Sequence, residues 1–267
     1  MYPYLFENWV GQWALIPTYA VCLSLAFTLA YLDALRRSFS EGREAKETEY
    51  FFLVTVLSSL AGARLFHVVF ENRAYYLANP ENALALWEGG LTFYGGLFCT
   101  LAALAFYCHI KKISLRATLD LLTPPVFIGL FVGRLGCLAA GCCWGKASNL
   151  PWAVTYQHPH TLSKLRFVTT HPSQLYEALG CLCIYFCLVI FFHRKTKPGN
   201  IFFTGLFAYA AVRFFVEFTR GDSYRGFFLG TPWSLAQFFS ILLILTSCVG
   251  FLLNKQMAFV NTSSSKL

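Results

Sequence analysis

The chain has 267 residues, of which 57% are apolar and only 13% charged, about half the usual quarter. A water-soluble domain of this length needs more charge to cover its surface, so an integral membrane protein of one or at most two domains is expected. The net charge of +8 does not point to nucleic acid, because no run of five or six basic residues occurs and Lys and Arg stand mainly between apolar stretches, where they set orientation in a membrane.

Taken in chain order, seven stretches are apolar over about 20 residues, long enough to cross a bilayer. They cover about 12–34, 50–70, 90–110, 121–142, 175–193, 200–219 and 233–253. Lipid leaves no partner for an open strand edge, so the predicted fold class is an all-α membrane protein with seven transmembrane helices. The first span has no basic segment before it and no small-residue cleavage pattern after it, unlike a removable signal peptide. The expected organisation is one polytopic domain over residues 1–254. It has an outer arm at about 71–89, an outer head loop at about 144–173, and a short cytoplasmic tail over 255–267, whose polar end "NTSSSKL" (261–267) is expected to be disordered. No internal repeat is visible. Pro124 and Pro125 fit the first turn of span four, or a kink in it.

Loop charges set the direction. The connections after spans one, three and five, together with the tail, carry 12 Lys and Arg, against 6 on the other side. That bias places the N-terminus outside, in the periplasm, and the C-terminus in the cytoplasm.

Ionisable groups inside spans are expensive, by about 2.5–3.5 kcal/mol on insertion scales, and mark function by default. Arg64, Arg134 and Arg213 lie in spans two, four and six, and Glu217 follows Arg213 by one helical turn. With the orientation above, all four fall in the outer half of the membrane. Tyr19, Tyr94 and the segment "HPSQLYE" (171–177), with His171 and Gln174, fall at the same level. One such arginine alone reads as an ion pair or as snorkelling. The group together reads as an anion site, and guanidinium forks suit phosphate. A phospholipid headgroup is the anion available at that depth. The glycines of "GGLTFYGG" (89–96), "GRLG" (133–136) and "GCCWG" (141–145) admit either close helix packing or a close-lying ligand.

Most of the ten cysteines lie in apolar stretches, where a free Cys behaves as a small hydrophobe. Cys137, Cys142 and Cys143 lack CxxC spacing, and no second cluster completes four ligands. No metal and no cofactor is therefore expected. A disulfide on the oxidising outer side, or a thiol activated by Arg134, stays open.

Five segments in order resemble the prolipoprotein diacylglyceryl transferase family of bacterial inner membranes: "GARLFHVVFE" (62–71), "GGLTFYGGL" (89–97), "GRLGCLAAGCCWG" (133–145), "HPSQLYE" (171–177) and "RFFVEFTRGD" (213–222). The resemblance spans nearly the whole chain and implies a multi-pass enzyme without cofactor. Its partners are phosphatidylglycerol, the lipid bilayer and the lipobox-bearing signal peptide of a prolipoprotein. It moves a diacylglyceryl group from the lipid to the lipobox cysteine, forming a thioether and releasing glycerol phosphate. By resemblance, Arg134 and Arg213 hold the phosphate, Glu217 orients Arg213, and Arg220 stands at the outer mouth. Arg64, Tyr19, His171 and Gln174, with Gly95, Gly96, Gly136 and Gly145, complete the substrate-binding set, and Tyr94 joins the catalytic one. The chain departs from the family in three places. Tyr94 stands where His is usual, Cys137 where Asn is usual, and Cys142 where an acid is usual. A phenol with a pKa near 10 is a poor base at neutral pH, which leaves His171 and Glu217 as substitute bases. The departures also leave a second reading, a non-catalytic or altered-chemistry paralogue that binds phospholipid headgroups or lipoproteins.

Overall fold

The computed structural model describes residues 4–5, 16–85, 90, 92–193, 196–221 and 233–264, with the backbone alone at 5, 16, 93, 94 and 256–264. It divides into two compact units, Leu35–Thr118 and the remainder, Met1–Ala34 with Leu119–Leu267.

The larger unit opens with a two-residue pair, β1 (Tyr4–Leu5) against β2 (Ile16–Pro17), and α1 (Thr18–Ser40), which crosses the unit boundary. Its core helices are α5 (Leu115–Ala140), α6 (Ser173–His193), α7 (Asn200–Glu217) and α8 (Leu235–Ser264). Between α5 and α6 lies a second antiparallel pair, β3 (Val154–Thr155) with β4 (Thr169–Thr170). The smaller unit holds α2 (Ala45–Phe66) with a π-helical turn at His67–Glu71, short α3 (Arg73–Ala78), a 3-10 turn at Pro80–Leu84, and α4 (Phe93–Lys111).

Among the described residues, six helices are long and apolar enough to cross a membrane: Thr18–Ser40, Ala45–Glu71, Leu115–Ala140, Ser173–His193, Asn200–Glu217 and Leu235–Lys255. The helix predicted third, α4, is apolar but shorter over its described side chains, Gly95–Lys111. Large apolar side chains such as Phe106, Phe186 and Leu252 stand more than half exposed along the helices. Water would penalise that surface, whereas lipid solvates it. The protein is an all-α membrane protein.

Two helix ends differ from expectation, and a buried carboxylate sets a third. Helix α5 starts at Leu115, where the Ser114 hydroxyl accepts the Ala117 amide at 3.4 Å, a serine N-cap. Pro124 and Pro125 are therefore in the helix body rather than its first turn, and the helix continues through them to Ala140. Just before them, buried Asp120 accepts the amides of Gly199 (2.6 Å) and Phe202 (2.8 Å). A carboxylate on these orphan donors starts α7 and opposes its dipole. At the other end of the chain, the α8 backbone stays helical through Ser264, because "MAFV" (257–260) prolongs the apolar run. The backbone is thus helical over 261–264, the first part of the polar end for which disorder is expected.

Candidate active site

Two helices of the larger unit, α5 and α7, bring ionisable side chains to one carboxylate on a third, α6. Glu177 lies in the first turns of α6, which Pro172 begins by accepting the Leu175 and Tyr176 amides. Its side chain is 2% exposed, so its charge needs partners. Glu177 Oε1 accepts from Arg134 Nη2 of α5 at 2.7 Å and from the Tyr209 hydroxyl of α7 at 3.0 Å. Arg213 Nη1 faces the other oxygen, Oε2, at 3.7 Å. Tyr209, Arg213 and Glu217 follow at four-residue intervals and so share one face of α7. On that face Arg213 Nη2 pairs with Glu217 Oε2 at 2.9 Å. Arg213 Nη1 is buried and has no hydrogen-bond acceptor among the described residues.

The end of α5 places the cysteines. Gly141 takes a left-handed φ of 75°. The Gly141 amide donates to Leu138 O at 3.3 Å and the Cys142 amide to Cys137 O at 3.2 Å. This is a Schellman cap, and it juxtaposes the third residue from the helix end with the second residue beyond it. Here those two are Cys137 and Cys142. Cys143 follows, also left-handed at φ 61°, and the three sulfurs lie within 4.8 Å of one another. All three are free thiols. Hydrogen bonds from the Cys137 and Cys142 thiols, with Arg220 and Arg134 nearby, push the Cys143 thiol well below its ordinary range. Cys142 is pushed up, chiefly by its bond with Cys137.

The turn is clamped from behind. Gln174 Nε2 donates to Cys142 O at 2.5 Å and to the Tyr156 hydroxyl at 2.8 Å; burial pushes the Tyr156 phenol up to about 12. Gly145 donates to His171 O at 3.1 Å and bridges to Arg220. A Cβ on Gly145 would stand 2.3 Å from His171 O, so this glycine is required by backbone approach. His171 Nδ1 lies 3.2 Å from the Tyr176 hydroxyl, which accepts Trp152 Nε1 at 2.8 Å. Gly136 lets α1 approach, since a Cβ there would meet Cys22 Cβ at 2.8 Å and Tyr19 Cδ2 at 3.3 Å. Tyr19 is 41% exposed, with Arg134 and the three cysteines as its ionisable neighbours.

Arg134, Arg213, Glu217, Tyr19, Gly136, Gly145, His171, Gln174 and Arg220 all belong to this unit. Arg64, Tyr94, Gly95 and Gly96 belong to the smaller one. There Arg64 donates to the carbonyls of Ala83 (2.8 Å), Asn82 (2.7 Å) and Gly90 (3.3 Å) and lies over the Tyr76 ring at 5.2 Å. Its visible work is to hold the segment predicted as an arm. Gly95 and Gly96 seat α4 on α2, against Phe66 and Ser59. Tyr94 falls in the first turn of α4, and its side chain lies outside the described residues.

A family model described as "Prolipoprotein diacylglyceryl transferase" matches residues 10–253. A phosphatidylglycerol–prolipoprotein diacylglyceryl transferase of Bordetella avium is 35% identical over 240 residues, 88% of this chain and 89% of the relative. The protein of the same name from Idiomarina loihiensis is 30% identical over 254 residues, 92% and 91% of the two chains.

The chain belongs to the prolipoprotein diacylglyceryl transferase family.

In this family member the hub of the polar cluster, Glu177, is a residue that sequence reasoning passed over. The signal was present: Glu177 ends "HPSQLYE" inside a predicted span, where an acid is as informative as an arginine. Tyr209, one turn before Arg213, carried a weaker signal. The thiol cluster had none in linear spacing, because a helix cap, not a CxxC turn, assembles it.

Proposed function

We propose that this chain transfers the diacylglyceryl group of phosphatidylglycerol to the lipobox cysteine of a prolipoprotein, forming a thioether and releasing glycerol phosphate. The observation that carries this reading is the arginine pair on buried Glu177, with Arg213 Nη1 lacking a hydrogen-bond acceptor among the described residues. The relatives' names support it. Arg134 and Arg213 place two guanidiniums where an anionic headgroup can meet them.

In the reaction the substrate sulfur attacks the glyceryl carbon next to the phosphate. The C–O bond breaks, and its electron pair stays on phosphate. A diester with one negative charge becomes a monoester approaching two, so Arg134 and Arg213 bind the transition state more strongly than the lipid. Glu177 and Glu217 hold each guanidinium in place before the lipid arrives. Tyr19, exposed beside Gly136, meets the headgroup. Gln174 acts from behind by fixing the Cys142 carbonyl. No observation favours the second reading, a non-catalytic binder.

The same proposal takes α4 as a seventh crossing: at about 1.5 Å per residue its 19 residues reach about the thickness of a bilayer core. With the loop charges, it places the N-terminus in the periplasm and the chain in the bacterial inner membrane. The test is expression in a strain depleted of its own transferase. Prolipoprotein should gain the mass of a diacylglyceryl group; precursor that accumulates unmodified beside well-inserted protein contradicts the assignment.

A further inference from the structure

The substrate thiol must lose a proton before its sulfur attacks, and the carboxylates near Arg134 are already committed. Glu177 accepts from Arg134 and Tyr209, and Glu217 is paired with Arg213. The imidazole of the segment that clamps the turn, His171, is tied to Tyr176. A different means of activating a thiol lies on the same helix. Cys137 follows Arg134 by three residues, on the same face of α5, and its sulfur is within 4.8 Å of those of Cys142 and Cys143.

We propose that Cys137, Cys142 and Cys143 form a three-thiolate zinc site whose open fourth position takes the lipobox cysteine of the substrate. This rests on the transferase reading above and names how that reaction activates its nucleophile. Thiolates are the ligands a d10 cation such as Zn2+ selects. Three protein ligands with one open position are the pattern of catalytic rather than structural zinc. Zn–S bonds of about 2.3 Å in a tetrahedron put the sulfurs about 3.8 Å apart. The present spread of at most 4.8 Å closes with small side-chain movements.

The surroundings fit an anionic metal–thiolate centre. Arg220 and Arg134 neighbour Cys143 electrostatically. Gln174 and the Schellman cap fix the backbone that carries Cys142, the kind of outer support that orients ligands. Cys143 holds a left-handed backbone at φ 61°, an uncommon conformation for a residue with a Cβ and one that clusters at functional sites.

The chemistry balances. Three Zn–S bonds form as three thiol protons pass to solvent. The substrate thiol then binds as fourth ligand and loses its own proton to solvent, since a coordinated thiol is deprotonated. Its sulfur forms the new bond to the glyceryl carbon while the C–O bond breaks toward phosphate beside Arg134. The product thioether is a weak ligand and leaves the metal.

The full chain purified in detergent tests this by elemental analysis and by cobalt substitution. Zn2+ should be retained at about one per chain. Co2+ in its place should show sulfur-to-metal charge-transfer bands that intensify when a prolipoprotein peptide with its lipobox Cys is added, but not with the Cys-to-Ser peptide. Cys143→Ser should weaken metal retention at least about tenfold, whereas Cys183→Ser, on the exposed side of α6, keeps it. Because a serine variant can misfold, Zn2+ protection of Cys137, Cys142 and Cys143 from alkylation is read on the unaltered chain as well. A chain that binds no metal, that transfers lipid equally well when stripped of metal, or whose cobalt spectrum ignores the cysteine peptide overturns the proposal. Metal binding with the peptide response but without lipid transfer would leave the site standing and remove the transferase reading instead.

Discussion

At the scale of single residues Glu177 holds the site together. Arg134, Tyr209 and Arg213 come from two different helices, and one carboxylate keeps them together. Glu177→Gln preserves shape and removes charge, leaving two guanidiniums with Glu217 as the one remaining acid among the described residues of the cluster. Breaking a buried pair in this way costs about 3–5 kcal/mol, so the variant should melt at lower temperature in detergent and also transfer lipid more slowly. Arg213→Lys asks a narrower question. It keeps the charge but loses the planar fork that fits phosphate. Transfer should fall by about a hundredfold or more, the scale of losing a preorganised donor, with membrane level unchanged on an immunoblot. A variant of wild-type rate would show that the fork does not grip the headgroup. In the sequence the arginines were legible because a charge inside an apolar run is conspicuous. Glu177 is equally conspicuous as a charge in a span, but it also closes the motif "HPSQLYE", which masks it.

At the scale of elements, caps and glycines decide where the site sits. Asp120 on α5 starts α7, and α7 carries Tyr209, Arg213 and Glu217. Asp120→Ala should cost about 0.5–2 kcal/mol of stability, the range for a lost N-cap, seen as a lower melting temperature with normal turnover in the protein that remains folded. Two glycines of "GRLGCLAAGCCWG" should behave oppositely. Gly133→Ala meets nothing within 4 Å and should be neutral or stabilising by up to about 1 kcal/mol, since Ala is the better helix former. Gly145→Ala meets a backbone carbonyl at 2.3 Å, which cannot swing aside, and should lose both stability and transfer. The helices themselves were legible from apolar length. Their ends were not: α5 begins at Leu115 because Ser114 caps it, and α8 continues because its apolar run outlasts the predicted span. The meeting of Cys137 with Cys142 follows from a helix cap that no linear spacing rule encodes.

At the scale of the whole molecule, composition alone reached the right class. A chain with 13% charge and large apolar side chains exposed along its helices is built for lipid. The direction of the chain is a separate expectation from loop charges, and reporter fusions test it: a periplasm-active reporter should work after the N-terminal segment and fail at the C-terminus. The central claim is that the Arg134–Glu177–Arg213 cluster drives transfer of diacylglyceryl from phosphatidylglycerol to a prolipoprotein thiol. Its most direct test reconstitutes the purified chain in phosphatidylglycerol vesicles with a prolipoprotein peptide and measures the thioether product and released glycerol phosphate together by mass spectrometry. Both should form in equal amounts with the unaltered chain, and both should fall by at least about a hundredfold with Arg213→Ala. Undiminished product from a folded Arg213→Ala protein, or no product from the unaltered chain, would contradict the account.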